Sequence, residues 1–324
     1  MSDAAAACDL AVVVVSYETR ERTLACLASV LEVAAGDAVA ASVVLVDNAS
    51  QDGTARAARE RFGERVEVVA NGRNAGFGAA CNQGAARVPG ARHVLFLNAD
   101  TTVLPGALAG LVAALDGDAG AGAAGPAVVG DDGAPQPSVR GHPTPLALLH
   151  QHTALRFVRL GARAYERYKA PDAREDDVPV VLGAALAVRR TDLDALGGFD
   201  ERYFLYFEEA DLCRRLAARG RRVRFVPGAT VRHRGGASSD PRRGPALAWY
   251  LESLFRYVDR FHGIELGVLY RIAFKPLFLL RMATDALRDA LTWLVRPAKR
   301  PAKSAELRLA AWFLGRGLVR FLRA

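Results

Sequence analysis

Short apolar runs alternate with stretches of helical periodicity along the first third of the chain. Residues 10–15 form an apolar run with the length of a buried strand, and residues 20–33 repeat their apolar positions at helical spacing. Further strands are predicted at 41–46, 66–69 and 93–97, and helices at 54–62, 78–87 and 105–115. Strands that alternate with helices form βαβ units, so we predict an α/β fold with a mostly parallel sheet and helices on both faces.

The pattern changes in the second half of the chain. Residues 117–145 are rich in Gly, Ala, Asp and Pro and are predicted to be a loop with one short strand candidate at 127–129. The remaining predictions are a strand at 178–188 interrupted by Gly183, helices at 192–196 and 208–219, a strand at 222–226, a polar loop at 238–244, and helices after Pro245. We therefore predict three regions: a disordered N-terminus (1–9), an α/β domain (10–244) and a helical tail (245–324).

Polar side chains follow the C-terminal ends of the predicted strands. They are Tyr17, Asp47, Asn74 and Asp100. Because open α/β sheets bind ligands outside the carboxyl ends of their strands, these side chains are expected to converge on one crevice. A carboxylate such as Asp100 could bind a divalent cation that bridges two phosphates, since Mg²⁺ and Mn²⁺ prefer oxygen ligands. For any one of these residues alone, a turn or helix-cap role stays open.

Carboxylates and aromatic side chains are interleaved between residues 197 and 211. Glu208, Glu209 and Asp211 follow a segment rich in Phe and Tyr. Desolvation among aromatic rings raises the pKa of a carboxyl group toward a useful basicity, so this stretch could supply a general base. The alternative is a solvated acidic helix start, which the helix dipole favours. His233, which follows the last predicted strand, could complete a metal site as a neutral imidazole or serve a structural role.

The composition is that of a globular protein, with 51% hydrophobic and 24% charged residues. The four cysteines have no CxxC spacing, so neither a zinc site nor a disulfide framework is predicted, and a reducing cytosol fits best. The first residues have no basic region typical of a signal peptide, and no apolar run is long enough to span a membrane. A cytoplasmic location is therefore expected.

The basic charge is concentrated in the tail. The net charge is +8, and residues 256–324 contain 14 Lys or Arg against 5 Asp or Glu. Arg308, Arg316 and Arg320 form a stripe opposite Trp312 and Phe313 on a predicted helix. Basic amphipathic helices of this kind lie in membrane interfaces, so an anionic membrane surface is predicted as a partner and nucleic acid is not. Packing on the α/β domain, or in a homodimer, stays open.

Taken together, seven stretches in a fixed order resemble glycosyltransferase family 2, in its rhamnosyltransferase-like branch. They are VVVSY (13–17), VDNASQDG (46–53), NGRNAGFGAACNQG (71–84), FLNAD (96–100), GAA (183–185), GFDERYFLYFEEADLCRRL (198–216) and HRGG (233–236). The resemblance covers roughly residues 10–262. It implies a GT-A fold, an inverting reaction, a nucleotide-diphospho-sugar donor and Mg²⁺ or Mn²⁺ as cofactor.

The resemblance also implies roles for individual residues. Glu209 would deprotonate the acceptor hydroxyl as the catalytic base, and Asp100 and His233 would bind the metal. The donor would be bound by Ser16, Tyr17, Glu18, Asp47, Asn74, Gly76 and Asn98. In two places the chain departs from the family: Asn98 replaces the first acid of the Asp-x-Asp metal motif, and Glu209 replaces an Asp. Glu208 and Asp211 are therefore the next candidates for the base.

The function implied by this resemblance is sugar transfer, with rhamnose as one candidate, in the synthesis of cell-envelope polysaccharide. The acceptor would be a glycan or a polyprenyl-linked glycan, and the enzyme would lie at the inner face of the cell membrane. Two other classes stay open. A sugar nucleotidyltransferase would need a glycine-rich phosphate loop, but the first strand ends in SYETR (16–20). An inactive sugar-nucleotide-binding protein would not need Glu209, Asp100 and His233.

Overall fold

The chain divides into two compact units, each described here by itself. The computed structural model describes residues 8–169, 177–234 and 243–324. The sheet unit comprises Met1–His142, Ala170–Phe204 and Glu208–Gly235, and the helical unit comprises Pro143–Lys169, Leu205–Phe207 and Gly236–Ala324. The first seven residues, the two glycines of the HRGG motif and most of the predicted loop at 238–244 lie outside the described residues.

The first half of the sheet unit is a parallel sheet. Its strands are β1 (Leu10–Ser16), β2 (Ala41–Asp47), β3 (Val66–Ala70) and β4 (His93–Asn98), in the order β3-β2-β1-β4. Its helices are α1 (Arg20–Gly36), α2 (Thr54–Phe62) and α3 (Phe77–Arg87), and α4 (Ala107–Asp116) follows a short strand, β5 (Thr101–Val103). The predicted βαβ units are confirmed. Apolar runs of strand length suit such a sheet because helices bury both of its faces.

Helices cover both faces of this sheet. Alternate residues of a strand point to opposite sides, so β1 contributes to two layers. Val12 and Val14 belong to the hydrophobic core that includes residues of α1 and α4. Val13 faces α3, where a Cβ atom on Gly84 would overlap the Val13 side chain. Gly84 therefore allows α3 to pack directly on the strand.

The second half of the sheet is mixed. It contains β6 (Ala121–Val129), β7 (Pro135–Gln136), β10 (Ala185–Arg189) and β11 (Arg222–His233), while β8 (Val139–Arg140) and β9 (Val180–Val181) form a separate two-stranded sheet. Strand β10 runs antiparallel between β4 and β6, and β11 runs parallel to β6 and antiparallel to β5. The full order is β3-β2-β1-β4-β10-β6-β11-β5, with β7 paired to β6. Two helices, α7 (Arg190–Leu196) and α8 (Glu208–Ala218), complete the unit.

The prediction of a loop at 117–145 was wrong for the first part of this range. Strand β6 has nine residues with the sequence AGAAGPAVV, and it is largely buried in the middle of the sheet. Its small side chains leave room for neighbours, since a Cβ atom on Gly125 would overlap Val181. Strand β11 also runs past its predicted end at Val226, because pairing resumes at Thr230 after a register shift.

The helical unit confirms the helices predicted after Pro245. It contains α5 (Pro145–His152), α6 (Ala162–Lys169), α9 (Arg243–His262), α10 (Ile264–Val295), α11 (Arg300–Trp312) and α12 (Leu318–Arg323). An aromatic cluster packs at its centre, formed by Phe255, Phe274, Phe278, Phe313 and Phe321. Across the described residues, every helix is too short or too polar to cross a bilayer.

Candidate active site

Asp100 and His233 form a carboxylate–imidazole pair at the end of β4. Strand β11 pairs with β5 so that His233 lies opposite Thr101. The Nε2 atom of His233 is 3.2 Å from Oδ1 of Asp100, and a guanidinium nitrogen of Arg22 is 4.0 Å from Oδ2. Burial alone would raise the pKa of Asp100, but the hydrogen bond and charge of His233 outweigh it and hold the pKa below its ordinary value.

This pair suits a divalent cation that arrives with a diphosphate. Over the ranges that the structure describes, no group of three or more His, Cys, Asp or Glu side chains is placed to hold a metal ion. Mg²⁺ and Mn²⁺ sites in phosphate chemistry commonly use one or two protein ligands and take the remaining oxygens from phosphate and water. One carboxylate and one imidazole meet that requirement. The Nε2 of Gln136 donates to the carbonyl of His233 over 3.1 Å and helps to position it.

The loops after β1 and β2 are tied together through one serine. The Ser50 hydroxyl donates to the Asp47 carboxylate and accepts the Glu18 backbone N–H over 2.9 Å. The Glu18 carboxylate accepts the backbone N–H of Gln51 over 2.7 Å. Burial raises the pKa of Asp47, although the Ser50 hydrogen bonds oppose it. These contacts place Glu18 and Asp47 side by side.

Ser16 and Tyr17, the remaining candidates after β1, differ in what they contact. The Ser16 hydroxyl is buried and lies within hydrogen-bond distance of the hydroxyls of Thr23 (2.9 Å) and Thr19 (3.3 Å). This side chain therefore fixes the start of α1. Tyr17 is 38% exposed, which leaves its ring accessible to a ligand.

The glycine-containing loop before α3 is fixed by two asparagines. Asn48 donates to the Gly76 carbonyl over 3.1 Å, and the Asn74 side-chain oxygen accepts the Gly76 N–H over 2.9 Å. Gly76 has a φ of +91°, and a Cβ atom there would lie 2.6 Å from the carbonyl oxygen of Phe204. The same carbonyl accepts the Phe77 N–H over 2.9 Å. The loop therefore adjoins the acidic–aromatic stretch that the sequence singled out.

Glu208 and Glu209 begin α8 and differ in their surroundings. Glu208 is 5% exposed, and among the described residues its Oε2 has no hydrogen-bond partner. Burial and the charge of Glu209 raise the pKa of Glu208 well above its ordinary value. Burial also raises the pKa of Glu209, but backbone N–H groups at the helix start and the charge of Arg140 oppose the rise. The positive charge of Arg140 therefore favours the ionised form at Glu209.

The segment between β9 and β10 links Glu209 to the end of β4. Gly183 lies against Glu209, since a Cβ atom on the glycine would be 3.9 Å from Cβ, Cγ and Cδ of the glutamate. The next carbonyl, that of Ala184, accepts the Asn98 N–H over 3.1 Å and the Thr101 hydroxyl over 3.3 Å. Residues 183–184 thus contact Glu209 and also bind Asn98 and Thr101, the two residues that flank Ala99 and Asp100.

Asp211, the other base candidate, is used in packing. Its side chain is fully buried and accepts a hydrogen bond from Arg215 over 2.6 Å. The Arg215 guanidinium also donates to the carbonyls of Leu196 and Gly198, and so joins α8 to the end of α7. The contacts of Asp211 favour a structural role.

A mixed sheet with helices on both faces and a C-terminal helical region is the architecture of a GT-A glycosyltransferase. The chain belongs to the glycosyltransferase-like family 2, whose family model matches residues 7–258.

Two characterised bacterial proteins are similar in sequence. The N-acetylglucosaminyl-diphospho-decaprenol L-rhamnosyltransferase of Mycobacterium tuberculosis (strain ATCC 25618 / H37Rv) is 33% identical over 234 residues, which cover 68% of this chain and 76% of the relative. Rhamnosyltransferase WbbL of Escherichia coli (strain K12) is 37% identical over 78 residues, covering 24% of this chain and 30% of that protein.

Two solved structures are similar in fold. The complex of GalNAc-T7 with UDP, GalNAc and Mn²⁺ has a TM-score of 0.58 at 19% identity, covering 77% of this chain and 47% of that chain. The mannosyltransferase PcManGT from Pyrobaculum calidifontis, with GDP-Man and Mn²⁺, has a TM-score of 0.52 at 20% identity and covers 94% of this chain and 86% of that one.

Proposed function

We propose that this glycosyltransferase moves a sugar, with L-rhamnose as the first candidate, from a nucleotide diphosphate to a lipid-diphosphate-linked glycan. The names of the two similar bacterial proteins support the sugar, and the name of the Mycobacterium tuberculosis protein supports the class of acceptor. The reaction would contribute to cell-envelope polysaccharide. The observation that carries the proposal is the position of Glu209 at the start of α8, against Gly183, whose neighbour Ala184 binds the residues on either side of Ala99 and Asp100. Sugar transfer to a hydroxyl needs a base near the donor diphosphate site.

In this proposal each part of the site has one task. Asp100 and His233 would hold a divalent ion, which would offset negative charge on the donor diphosphate. Tyr17, Glu18 and Asp47 bind the nucleoside, and the loop at Asn74 and Gly76 lines the donor pocket. Arg22, which is next to Asp100, is a further candidate for phosphate binding because it is cationic and 44% exposed.

Glu209 accepts the proton of the acceptor hydroxyl while the hydroxyl oxygen attacks the anomeric carbon and the nucleotide diphosphate leaves. A single displacement of this kind inverts the anomeric configuration. The burial that raises the pKa of Glu209 makes it a stronger base than an exposed glutamate.

The helical unit is proposed to bind the chain to an anionic membrane surface, where a lipid-linked acceptor is found. Residues 256–324 contain 14 basic and 5 acidic side chains. Several leucines of α10 face solvent, namely Leu280, Leu287, Leu291 and Leu294. Apolar and basic side chains on one helix are typical of interfacial binding.

The test is a thermal-shift screen of nucleotide sugars with and without Mn²⁺, followed by transfer to a short-chain lipid-diphosphate-linked N-acetylglucosamine. We expect stabilisation by one nucleotide sugar and a product of inverted configuration by NMR. Stabilisation by nucleotide sugars without any turnover would favour a binding protein. Release of diphosphate from a nucleoside triphosphate and a sugar phosphate would favour a nucleotidyltransferase.

A further inference from the structure

Exposed apolar side chains are concentrated in one unit of the protein. Among the described residues, the large hydrophobic side chains that face solvent all belong to the helical unit, with the single exception of Tyr17. Soluble proteins rarely expose large contiguous apolar surface without a partner for it. These exposed side chains make the helical unit a candidate for binding a partner or a surface.

Part of this exposed surface is not in the tail. Five consecutive residues, Arg156 to Leu160, are all exposed at a 3₁₀ turn between α5 and α6. Phe157 is 53% exposed, Val158 72% and Leu160 54%. We call residues 156–160 the tip. Exposure of a phenylalanine, a valine and a leucine to water at one turn is energetically unfavourable. The tip is therefore suited to an apolar environment.

The tip is held in place by the elements beneath it. The Thr153 hydroxyl accepts the Leu155 N–H over 3.3 Å and donates to the Leu149 carbonyl over 2.6 Å. The carbonyl of Leu160 is 2.8 Å from Nδ1 of His150. Gly161, at a φ of +82°, approaches α5 so closely that a Cβ atom there would lie 2.8 Å from the Leu146 carbonyl oxygen. This turn is therefore built to present its side chains outward.

The charge around the tip is positive. Residues 154–169 contain five Lys or Arg and one acidic residue, Glu166. Arg156 and Arg159 alternate with the apolar side chains, an arrangement in which the guanidinium groups can reach phosphates while the apolar groups enter a lipid layer. Helix α10 contacts the same 3₁₀ turn. The exposed leucines of α10 add to the apolar surface of the helical unit.

We propose that the tip is a second membrane anchor, which inserts Phe157, Val158 and Leu160 into the interface of an anionic bilayer. This inference rests on the proposed membrane association of the helical unit and adds an attachment point that precedes the basic tail in the sequence. Two attachment points fix the orientation of the helical unit on a surface, whereas the tail alone would leave it free to rotate.

The experiment measures binding of the full chain to vesicles of phosphatidylglycerol and phosphatidylcholine by flotation. Replacing all three tip residues by serine (F157S, V158S and L160S) is expected to weaken binding by about ten-fold or more, because three apolar contacts are lost. Transfer to a soluble, short-chain acceptor should stay at the wild-type level and shows that the variant is folded. A variant with Leu287→Ser and Leu291→Ser tests the tail separately. Unchanged binding of the tip variant would overturn the inference even if the tail variant fails to bind.

A probe at the tip tests insertion directly. Phe157→Cys is introduced with Cys8→Ser, since the other native cysteines are buried, and is labelled with an environment-sensitive dye. We expect a blue shift and quenching by lipid-borne quenchers on anionic vesicles. The matched control is Glu60→Cys on α2, a position 70% exposed in the sheet unit, where neither is expected. A blue shift without vesicles that disappears on dilution would instead identify contact between copies of this chain and would overturn the inference.

Discussion

The Nε2 atom of His233 lies 3.2 Å from Oδ1 of Asp100, although the two residues belong to distant parts of the sequence. They meet because β11 pairs antiparallel with β5, the short strand that begins directly after Asp100. A site assembled in this way depends on the edge of the sheet as a whole.

Replacing Asp100 by asparagine tests the metal assignment. We expect Asp100→Asn to remove the Mn²⁺ dependence of nucleoside-diphosphate binding and to lower turnover by about 10²–10³-fold, because the hard cation loses its only carboxylate ligand at this pair. Isothermal titration with and without Mn²⁺ measures the first effect. Asp194→Asn, at a position 62% exposed on α7, is the matched control and should behave as wild type. An unchanged response of the Asp100 variant to Mn²⁺ would exclude this residue as a ligand.

Replacing Glu209 tests the catalytic base. Glu209→Gln should lower turnover by about 10²–10⁴-fold without changing donor binding, because the amide cannot accept a proton. Glu208→Gln, one residue away, should keep most of the activity, since Glu208 is buried and its raised pKa disfavours the ionised form that a base needs. Steady-state kinetics of both variants provide the comparison. The reverse ranking of the two variants would transfer the assignment to Glu208.

The activity should fall on the acidic side of neutrality. The pKa of Glu209 is raised from its ordinary value of 4.5, so protonation removes the base at a higher pH than it would for an exposed glutamate. The pH profile of kcat/KM at saturating Mn²⁺ should therefore show an acidic limb with an apparent pKa above 4.5. Glu209→Gln should lose this limb from its residual activity. A limb that persists in that variant would have another origin.

Stability should depend on pH through Glu208. The unfolded chain releases this proton near the ordinary value of 4.5, whereas the folded protein retains it to a much higher pH. Folding therefore becomes less favourable as pH rises above 4.5, until the folded group ionises as well. Glu208→Gln should be more stable than wild type at about pH 8 and should differ little at about pH 4, with about 1.4 kcal/mol for each unit of pKa difference. Denaturant unfolding at several pH values measures this.

The loop before α3 should tolerate a methyl group at one glycine and not at another. Gly76→Ala is expected to cost about 1–3 kcal/mol and to weaken donor binding, because of the positive φ and the contact with the Phe204 carbonyl. Gly72→Ala, in the same loop, meets nothing within 4 Å and should be neutral. Thermal unfolding and donor titration compare the two variants. Equal stability of both would contradict the close approach of Gly76 to Phe204.

The parallel half of the sheet was predictable because its strands are runs of valine and leucine between helices of regular period. Strand β6 was not, because a central strand built of Ala and Gly has the composition of a loop. The close approaches of Val181 to Gly125 and of Leu216 to Gly122 explain why small residues are used there. Burial of a strand by its neighbours is a property of tertiary packing and leaves little trace in a local pattern.

Some site residues could also be predicted from the sequence, and others could not. Strand ends identified Asp47 and Asp100, and aromatic density identified the acids of α8. Sequence alone could not show that the Ser16 hydroxyl contacts Thr23 or that Asp211 is neutralised by Arg215. It also gave no signal for Arg22 and Gln136, which are ordinary residues until the fold brings them beside Asp100 and His233.

The exposed apolar side chains of the helical unit have a practical consequence for handling the protein. In detergent-free buffer such a surface lowers its free energy by self-association, so apparent dimers and larger species would report this contact and depend on concentration and detergent. Size measurements in micelles or lipid nanodiscs are therefore needed before an oligomeric state is assigned. Crystals grown without lipid would bury these side chains in packing contacts.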